Sequence, residues 1–209
     1  PGSVIYTAVL NDLGTFESDI ISQRIASDHY RLFVGTNAIK RDFCWFTRAS
    51  DGFDVSLADS TEKYAVLSLM GPDTARIVIE CGATELTDLG YFKVGTAYIA
   101  NKHVRAARIS YVGEHGWEIT CLSENAKPIF DALVSAGATP AGLYAQTSMR
   151  IEKGFCAMSH ELSRDVSPIE AGLMFAVRKS GGFVGHRALM KRKQSGASSK
   201  AVSIKIMDE

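Results

Sequence analysis

The hydrophobic positions of this chain occur in short alternating runs, separated by turns rich in Gly, Asn and Asp. Alternation of apolar and polar residues over four to eight positions is typical of a half-buried strand. The alternation predicts strands or strand pairs over the following segments: Val4–Leu10, Phe16–Ser22, Asp28–Gly35, Tyr64–Pro72, a hairpin within Thr96–Gly113 that turns near Asn101-Lys102, and Gly116–Leu122.

Other segments place their apolar residues three or four positions apart, which predicts helices. These segments are 36–50, with Thr36 or Asn37 as N-cap, then 73–82, 126–137, 141–155 and 184–193. In the segment 141–155, Leu143, Met149 and Ile151 are expected on the buried side. Hairpins and single helices without strict βαβ alternation favour an α+β domain with antiparallel sheets. Strand-helix-strand units around 28–70 and 105–150 allow two related split βαβ halves.

Both ends of the chain lie within predicted strands. It begins "PGSVIYTAVL" without a starting methionine and closes on the alternating segment "SKAVSIKIMDE". We therefore expect the chain to be a fragment of a longer protein.

Composition and charge argue against several classes of protein. Lys plus Arg and Asp plus Glu both number 23 among 209 residues, so nothing indicates a surface that neutralises many phosphates, and no nucleic-acid partner is expected. No apolar run approaches the roughly 20 residues of a membrane span, so no membrane association is expected. The four cysteines and the histidines match no metal-ligand spacing, so no metal is expected. Reduced cysteines without a secretory signal favour a cytoplasmic protein.

Three stretches carry polar residues in a pattern that packing alone does not explain: "YTAVLNDLGTFESDI", "RISYVGEHGWEI" and "MRIEKGF…SRDVSPIEAGL". In the first, Asp19 directly precedes Ile20 and Ile21. A carboxylate beside apolar neighbours is partly desolvated, which raises its pKa and strengthens its field. A solvated strand-edge carboxylate is the alternative.

Together, in this order, the three stretches resemble the folate-binding domain of the glycine cleavage T-protein (aminomethyltransferase) superfamily, over residues 6 to about 192. "SYVGEHGWEI" and "RIEKGF" followed by "SPIEAGL" are most similar to the branch fused to dimethylglycine or sarcosine dehydrogenases. The resemblance implies ferredoxin-like α+β subdomains that form a folate-binding domain over 1–192, with its N-terminal part missing. Residues 193–209 would then be a linker and the first strand of a C-terminal barrel.

The resemblance implies that Asp19 is the catalytic carboxylate and that Glu118 binds the pterin ring of tetrahydrofolate. A folate nitrogen must lose a proton as it bonds to the one-carbon unit, and a carboxylate can assist. The amino-pyrimidinone edge of a pterin offers two adjacent N–H donors, which suits a bidentate carboxylate. An outward-facing strand carboxylate is the alternative for Glu118.

Four further residues match positions that approach the folate in the family. Tyr6, Tyr111 and Phe175 are aromatic candidates, with core packing as the alternative for each. Asn37 is a candidate near the pterin, with an N-cap role as the alternative.

Gln146 occupies a position where the T-protein commonly has an arginine on the pterin side. Glutamine keeps the hydrogen-bonding capacity and loses the charge, which supports the dehydrogenase-fused branch and places the T-protein's own substrate in doubt.

The implied activity is transfer of a one-carbon unit to tetrahydrofolate, giving 5,10-methylene-tetrahydrofolate. The donor would be a small molecule, either an oxidised N-methyl amine of the dimethylglycine or sarcosine type or an aminomethyl donor. Flavin, if present, would be bound by a separate dehydrogenase domain of the parent chain. Two alternatives are a non-catalytic folate-binding module and a folate-dependent demethylase of the same fold.

Overall fold

The computed structural model describes residues 1–207 as seven strands, five α-helices and several short 3-10 turns. The strands are β1 (Val4–Leu10), β2 (Phe16–Arg24), β3 (Tyr30–Phe33), β4 (Tyr64–Met70), β5 (Val94–Ile99), β6 (Lys102–Ala107) and β7 (Gly116–Leu122). The helices are α1 (Ile39–Ala49), α2 (Thr74–Glu80), α3 (Ala126–Ser135), α4 (Leu143–Glu152) and α5 (His186–Ser195).

The chain divides into two compact units. The first unit comprises Pro1–Val4, Gln23–Tyr30 and Ala58–Phe155, and the second comprises Ile5–Ser22, Arg31–Leu57 and the chain from Cys156 onward. The two sheets are antiparallel, with strand orders β4-β7-β6-β5 and β1-β2-β3. The prediction of an α+β fold with antiparallel sheets is confirmed.

The first unit is built on the four-stranded sheet. Alternation along β7 directs Trp117, Ile119 and Cys121 into a core that also contains Ile77 of α2 and Ile129 of α3. The intervening side chains of β7, among them Glu118, therefore point to the opposite face of the sheet. A two-residue turn at Ala100 and Asn101, both with positive φ, joins β5 to β6 close to the predicted position.

The second unit holds most of the three-stranded sheet together with α1 and α5. Its core contains Leu10 and Phe16 from the β1–β2 hairpin, Leu189 from α5, and Leu162 and Val177 from the segments between. The chain turns from β1 to β2 at Gly14, where the Asn11 side chain accepts hydrogen bonds from the backbone N–H of Leu13 and the Thr15 hydroxyl. This Asn-based turn sets the register in which β1 faces β2.

Two local predictions about helices are wrong. Neither Thr36 nor Asn37 caps α1, because Thr36–Ala38 form a 3-10 turn in which the Ala38 N–H donates to the Gly35 carbonyl. The predicted buried side of α4 is also wrong, since Leu143 and Ile151 are 80% and 50% exposed while Arg150 is 3% exposed. The Arg150 guanidinium donates to the Phe155 carbonyl at 3.0 Å, so its charged end has a partner where it is buried.

Among the described residues, the segment 197–207 forms no strand or helix. A strand needs a hydrogen-bonded neighbour, and the backbone bond from Ala201 N–H to the Glu170 carbonyl is a single link rather than a ladder. The last two residues of the predicted strand, Asp208 and Glu209, lie outside the described residues. Within residues 1–207, no helix combines the length and the apolarity needed to cross a lipid bilayer.

Candidate functional site

Asp19 and Tyr6 form a hydrogen-bonded pair across the β1–β2 hairpin. The Tyr6 hydroxyl donates to Oδ2 of Asp19 at 3.0 Å, although the two residues are thirteen positions apart in sequence. Both side chains are partly buried. The Tyr6 hydroxyl therefore orients the Asp19 carboxylate through Oδ2, and Oδ1 takes no part in that bond.

Burial raises the pKa of Asp19 above its ordinary value, because desolvation disfavours the charged form. The hydrogen bonds from Tyr6 and from the Asp19 backbone oppose this rise, the charge of Asp42 adds to it, and the charge of Arg41 reduces it. The net direction is upward, so Asp19 holds a proton more tightly than an exposed aspartate does. A carboxylate with raised proton affinity is suited to accept a proton from a bound reactant.

Asp42, on α1, is hydrogen-bonded to Ser18, the residue that precedes Asp19. Asp42 is 1% exposed, and its two oxygens accept the Ser18 hydroxyl at 2.5 Å and the Arg41 Nε–H at 2.9 Å. Both oxygens of this buried carboxylate thus have a donor, as a buried charge requires. The bond from the Ser18 hydroxyl joins α1 to β2, whereas the bond from Arg41 lies within α1.

Phe175 lies beside Tyr6, in the 3-10 turn Met174–Ala176. The two ring centroids are 6.2 Å apart with the planes tilted by 37°, and Phe175 is 71% exposed. The Thr7 hydroxyl donates to the Ala176 carbonyl at 3.1 Å, which holds this turn against β1. Tyr6, Asp19 and Phe175, all predicted site residues, are therefore brought together in the second unit.

Glu17, also on β2, is a buried carboxylate with a different partner. Its side chain is 4% exposed, and its Oε2 lies 3.0 Å from Nε of Arg164. The backbone bond from Phe16 N–H to the Val166 carbonyl holds the same loop against β2. Because Glu17 already has a counter-charge, Asp19 is the residue of this strand whose carboxylate remains available for a ligand.

In the first unit, Glu118 lies in the middle of β7, between Ser68 of β4 and Ala107 of β6. Desolvation raises the pKa of the Glu118 carboxyl. Within residues 1–207 its carboxylate has no hydrogen-bond or ion-pair partner. A partly buried carboxylate without a partner is costly unless a ligand supplies donors.

Tyr111 lies in the segment between β6 and β7. Its ring stacks on Phe155, with centroids 6.3 Å apart and planes 19° from parallel, and its N–H donates to the Met70 sulfur at 3.4 Å. Gly113 follows, and a Cβ there would overlap the Lys153 side chain, so this turn packs closely against the end of α4.

For the last two predicted site residues, Gln146 and Asn37, the structure gives a position and an exposure but no contact that would indicate folate binding. Gln146 is half-buried on α4, and Asn37 is exposed in the turn before α1. Tyr6, Asp19, Asn37 and Phe175 thus belong to the second unit, whereas Tyr111, Glu118 and Gln146 belong to the first.

Sequence reasoning missed Ser18, Arg41 and Asp42. A signal was present, because Asp42 stands three residues after Ile39 and four before Phe46, on the face where a helix of this pattern is buried. The apolar Phe43 next to it is instead 37% exposed. Among the described residues, no group of three or more His, Cys, Asp and Glu is arranged to hold a metal ion.

Comparison with known proteins gives consistent results. A family model described as "GCVT N-terminal domain" matches residues 1–181. An aminomethyltransferase from Bacillus pumilus is 34% identical over the whole of this chain, and one from Halothermothrix orenii is 31% identical over 98% of it. The chain spans 59% and 58% of the lengths of these two relatives.

The fold is also found in a solved structure. The crystal structure of the glycine cleavage system aminomethyltransferase T from Bartonella henselae superposes with a TM-score of 0.83 at 26% sequence identity. The match covers 94% of this chain and 54% of the Bartonella henselae chain.

Proposed function

Because the chain belongs to the GCVT N-terminal domain family, we propose that it binds tetrahydrofolate and takes part in one-carbon transfer of the aminomethyltransferase type. The observation that carries this proposal is the Tyr6–Asp19 pair, a carboxylate with raised proton affinity that is oriented by a tyrosine hydroxyl. The relatives named aminomethyltransferase support the reaction type.

The residues of this chain fit tetrahydrofolate in one testable respect. Glu118 is a partly buried carboxylate without a partner among the described residues, and a pterin edge offers two adjacent N–H donors. Binding would therefore compensate a desolvated charge as well as form two charge-assisted hydrogen bonds. When bound, tetrahydrofolate supplies the nitrogens that accept the one-carbon unit.

With tetrahydrofolate bound, Asp19 would be the group that accepts a proton from a folate nitrogen. The desolvated environment of Asp19 favours its protonated form, and its ionised form would stabilise a cationic donor. Tyr6 keeps one carboxylate oxygen in place during the transfer, and the exposed ring of Phe175 beside it provides an apolar surface for the ligand.

For the donor, we propose an oxidised N-methyl amine of the dimethylglycine or sarcosine type, with 5,10-methylene-tetrahydrofolate as the product. The support is the neutral Gln146 on α4, together with the "SYVGEHGWEI" form of the second motif. Such a donor requires oxidation of the amine, which a flavin dehydrogenase would perform.

The proposal is tested with Asp19→Asn, which keeps the size of the side chain and removes its ability to take a proton. We expect tetrahydrofolate to bind with unchanged affinity by calorimetry. Formation of methylene-tetrahydrofolate should fall by about 10²-fold or more, the usual contribution of a general base. Asp12→Asn, in the exposed turn of the same hairpin, is the matched control and should retain full turnover.

Undiminished turnover in Asp19→Asn would overturn the catalytic role of Asp19. Absence of saturable tetrahydrofolate binding by the folded wild-type chain would overturn the proposed function itself. Intrinsic fluorescence of Trp45 and Trp117 reports binding independently of turnover.

A further inference from the structure

Packing of the second unit does not require a carboxylate at the buried position of Asp42. Helix α1 could bury an apolar residue at this position, yet it buries an aspartate at 1% exposure and leaves Phe43 37% exposed. Burying a charge is expensive, so its presence calls for a function that an apolar residue could not perform.

The geometry connects Asp42 to Asp19 in two ways. The first is the hydrogen bond from the Ser18 hydroxyl to Oδ2 of Asp42, which holds β2 at the residue adjacent to Asp19. The second is the charge of Asp42, which acts on Asp19 directly and disfavours a second negative charge nearby.

We propose that Asp42 is a positioning residue for Asp19: it fixes the backbone of β2 through Ser18 and sets, together with Arg41, how tightly Asp19 holds a proton. The inference rests on the proposed function, in which Asp19 accepts a proton during one-carbon transfer. The two like charges make Asp19 a stronger base than it would be beside a neutral residue.

Arg41 limits this effect. Its Nε–H donates to Oδ1 of Asp42, and its side chain is 40% exposed, so water and salt screen it more than they screen Asp42. The charge of Arg41 favours the ionised form of Asp19, while that of Asp42 disfavours it. Proton affinity at Asp19 is therefore a balance between two neighbouring residues of α1 that act in opposite directions.

Besides Asp42 and Arg41, two further polar side chains of the hairpin are relevant to the proton affinity of Asp19. Tyr6, from β1, donates a hydrogen bond that favours ionisation of Asp19. Glu17, on the same strand, is paired with Arg164. A change in the proton affinity of Asp19 on substitution of Asp42 or Arg41 is thus attributable to the residue that was substituted.

The test is a carboxyl ¹³C NMR titration of the whole chain, with the Asp19 resonance identified by its loss in Asp19→Asn. Asp42→Asn keeps an acceptor for the Ser18 hydroxyl and removes the charge, so we expect the pKa of Asp19 to shift downward. Arg41→Gln removes the opposing charge and should shift this pKa upward, and Arg41→Lys should restore a value close to that of the wild type. Asp51→Asn, exposed just beyond α1, is the matched control and should leave it unchanged.

Shifts in these opposite directions support the inference, since a purely structural role of the pair would not produce them. An unchanged Asp19 pKa in Asp42→Asn and Arg41→Gln, or shifts in the same direction, overturns it. If Asp42→Asn does not fold, the comparison of Arg41→Gln with Arg41→Lys decides alone.

Turnover separates this inference from the proposed function. We expect Asp42→Asn to lower kcat by about tenfold, part of the 10²- to 10⁴-fold that a general base contributes, with an unchanged KM for tetrahydrofolate. If the titration shows the opposite shifts but the wild-type chain transfers no one-carbon unit, the proposed function fails while the control of Asp19 by Asp42 stands.

Discussion

At the scale of single residues, the two carboxylates that are predicted to contact folate differ in what surrounds them. Asp19 has a hydroxyl donor and two charged neighbours, whereas desolvation alone raises the pKa of Glu118. A donor next to a desolvated carboxylate recovers part of the lost hydration, and Glu118 lacks one within the described chain. The two residues therefore respond differently to substitution.

Glu118→Gln should stabilise the ligand-free protein at neutral pH. The pKa of Glu118 is higher in the folded chain than in the unfolded one, so the folded state binds more protons between these two values. Stability is therefore lost as pH rises through the folded pKa. We expect a higher thermal midpoint than that of the wild type at pH 7, and no difference below about pH 4, where Glu118 is protonated in both states.

Glu124→Gln is the matched control for this measurement, because Glu124 is exposed in the turn that follows β7. It should show no difference from the wild type at either pH. A Glu118→Gln protein that is less stable than the wild type at pH 7 would mean that the carboxylate has a stabilising partner.

Tyr6→Phe removes the hydroxyl that donates to Asp19 and leaves the aromatic ring in place. Because that hydrogen bond favours the ionised form of Asp19, its loss should raise the pKa of Asp19 further. The carboxyl NMR titration described above measures this shift. A pKa that falls, or does not move, would show that the Tyr6 hydroxyl does not influence Asp19 in solution.

At the scale of elements, the hairpin that carries Asp19 is held at its turn by close contact with α5. Gly14 has a φ of +72°, and a Cβ there would lie 2.5 Å from the Leu189 backbone nitrogen. Gly185, at the start of α5, has a φ of +78°, and a Cβ there would overlap the Asn11 carbonyl oxygen. The hairpin and the helix can meet in this way only if both positions lack a side chain.

Gly14→Ala should therefore destabilise the second unit by about 2–5 kcal/mol, the sum of left-handed backbone strain and overpacking against backbone. The loss is measured as a lower urea midpoint. Gly52→Ala is the matched control: Gly52 also has a positive φ of +80°, with nothing within 4 Å of the added Cβ, and its substitution should cost only the backbone strain of about 1–2 kcal/mol. Equal effects of the two substitutions would contradict the close contact.

The elements also show how far sequence reasoning reaches. The strands β1, β4 and β7 and the helices α2, α3 and α5 lie where the periodicity predicts them, because each buries one face and the alternation of side chains records which face. The capping of α1 and the buried side of α4 were not predictable in this way. Both depend on what lies against the helix end, such as the Phe155 carbonyl that accepts from the buried Arg150.

At the scale of the whole molecule, the formal net charge is zero, with 23 basic and 23 acidic residues. Proteins near zero net charge repel one another weakly. We expect self-association, measured by static light scattering at fixed ionic strength, to be strongest near pH 7 and to decrease at pH 9 and above as positive charge is lost. Scattering that is independent of pH would show that charge does not control association.

The sequence by itself determined the element order, the α+β class and the family, because hydrophobic periodicity and three ordered motifs are local properties of the chain. It also singled out Asp19, Tyr6 and Phe175. Only the tertiary structure decided that Tyr6 contacts both Asp19 and Phe175. It also decided that Glu118 lacks a partner within residues 1–207, and that Ser18, next to Asp19, is hydrogen-bonded to Asp42. The physical reason is that burial and electrostatic coupling depend on which segments pack together. Ser18 and Asp42 are 24 positions apart, and no local pattern records that contact.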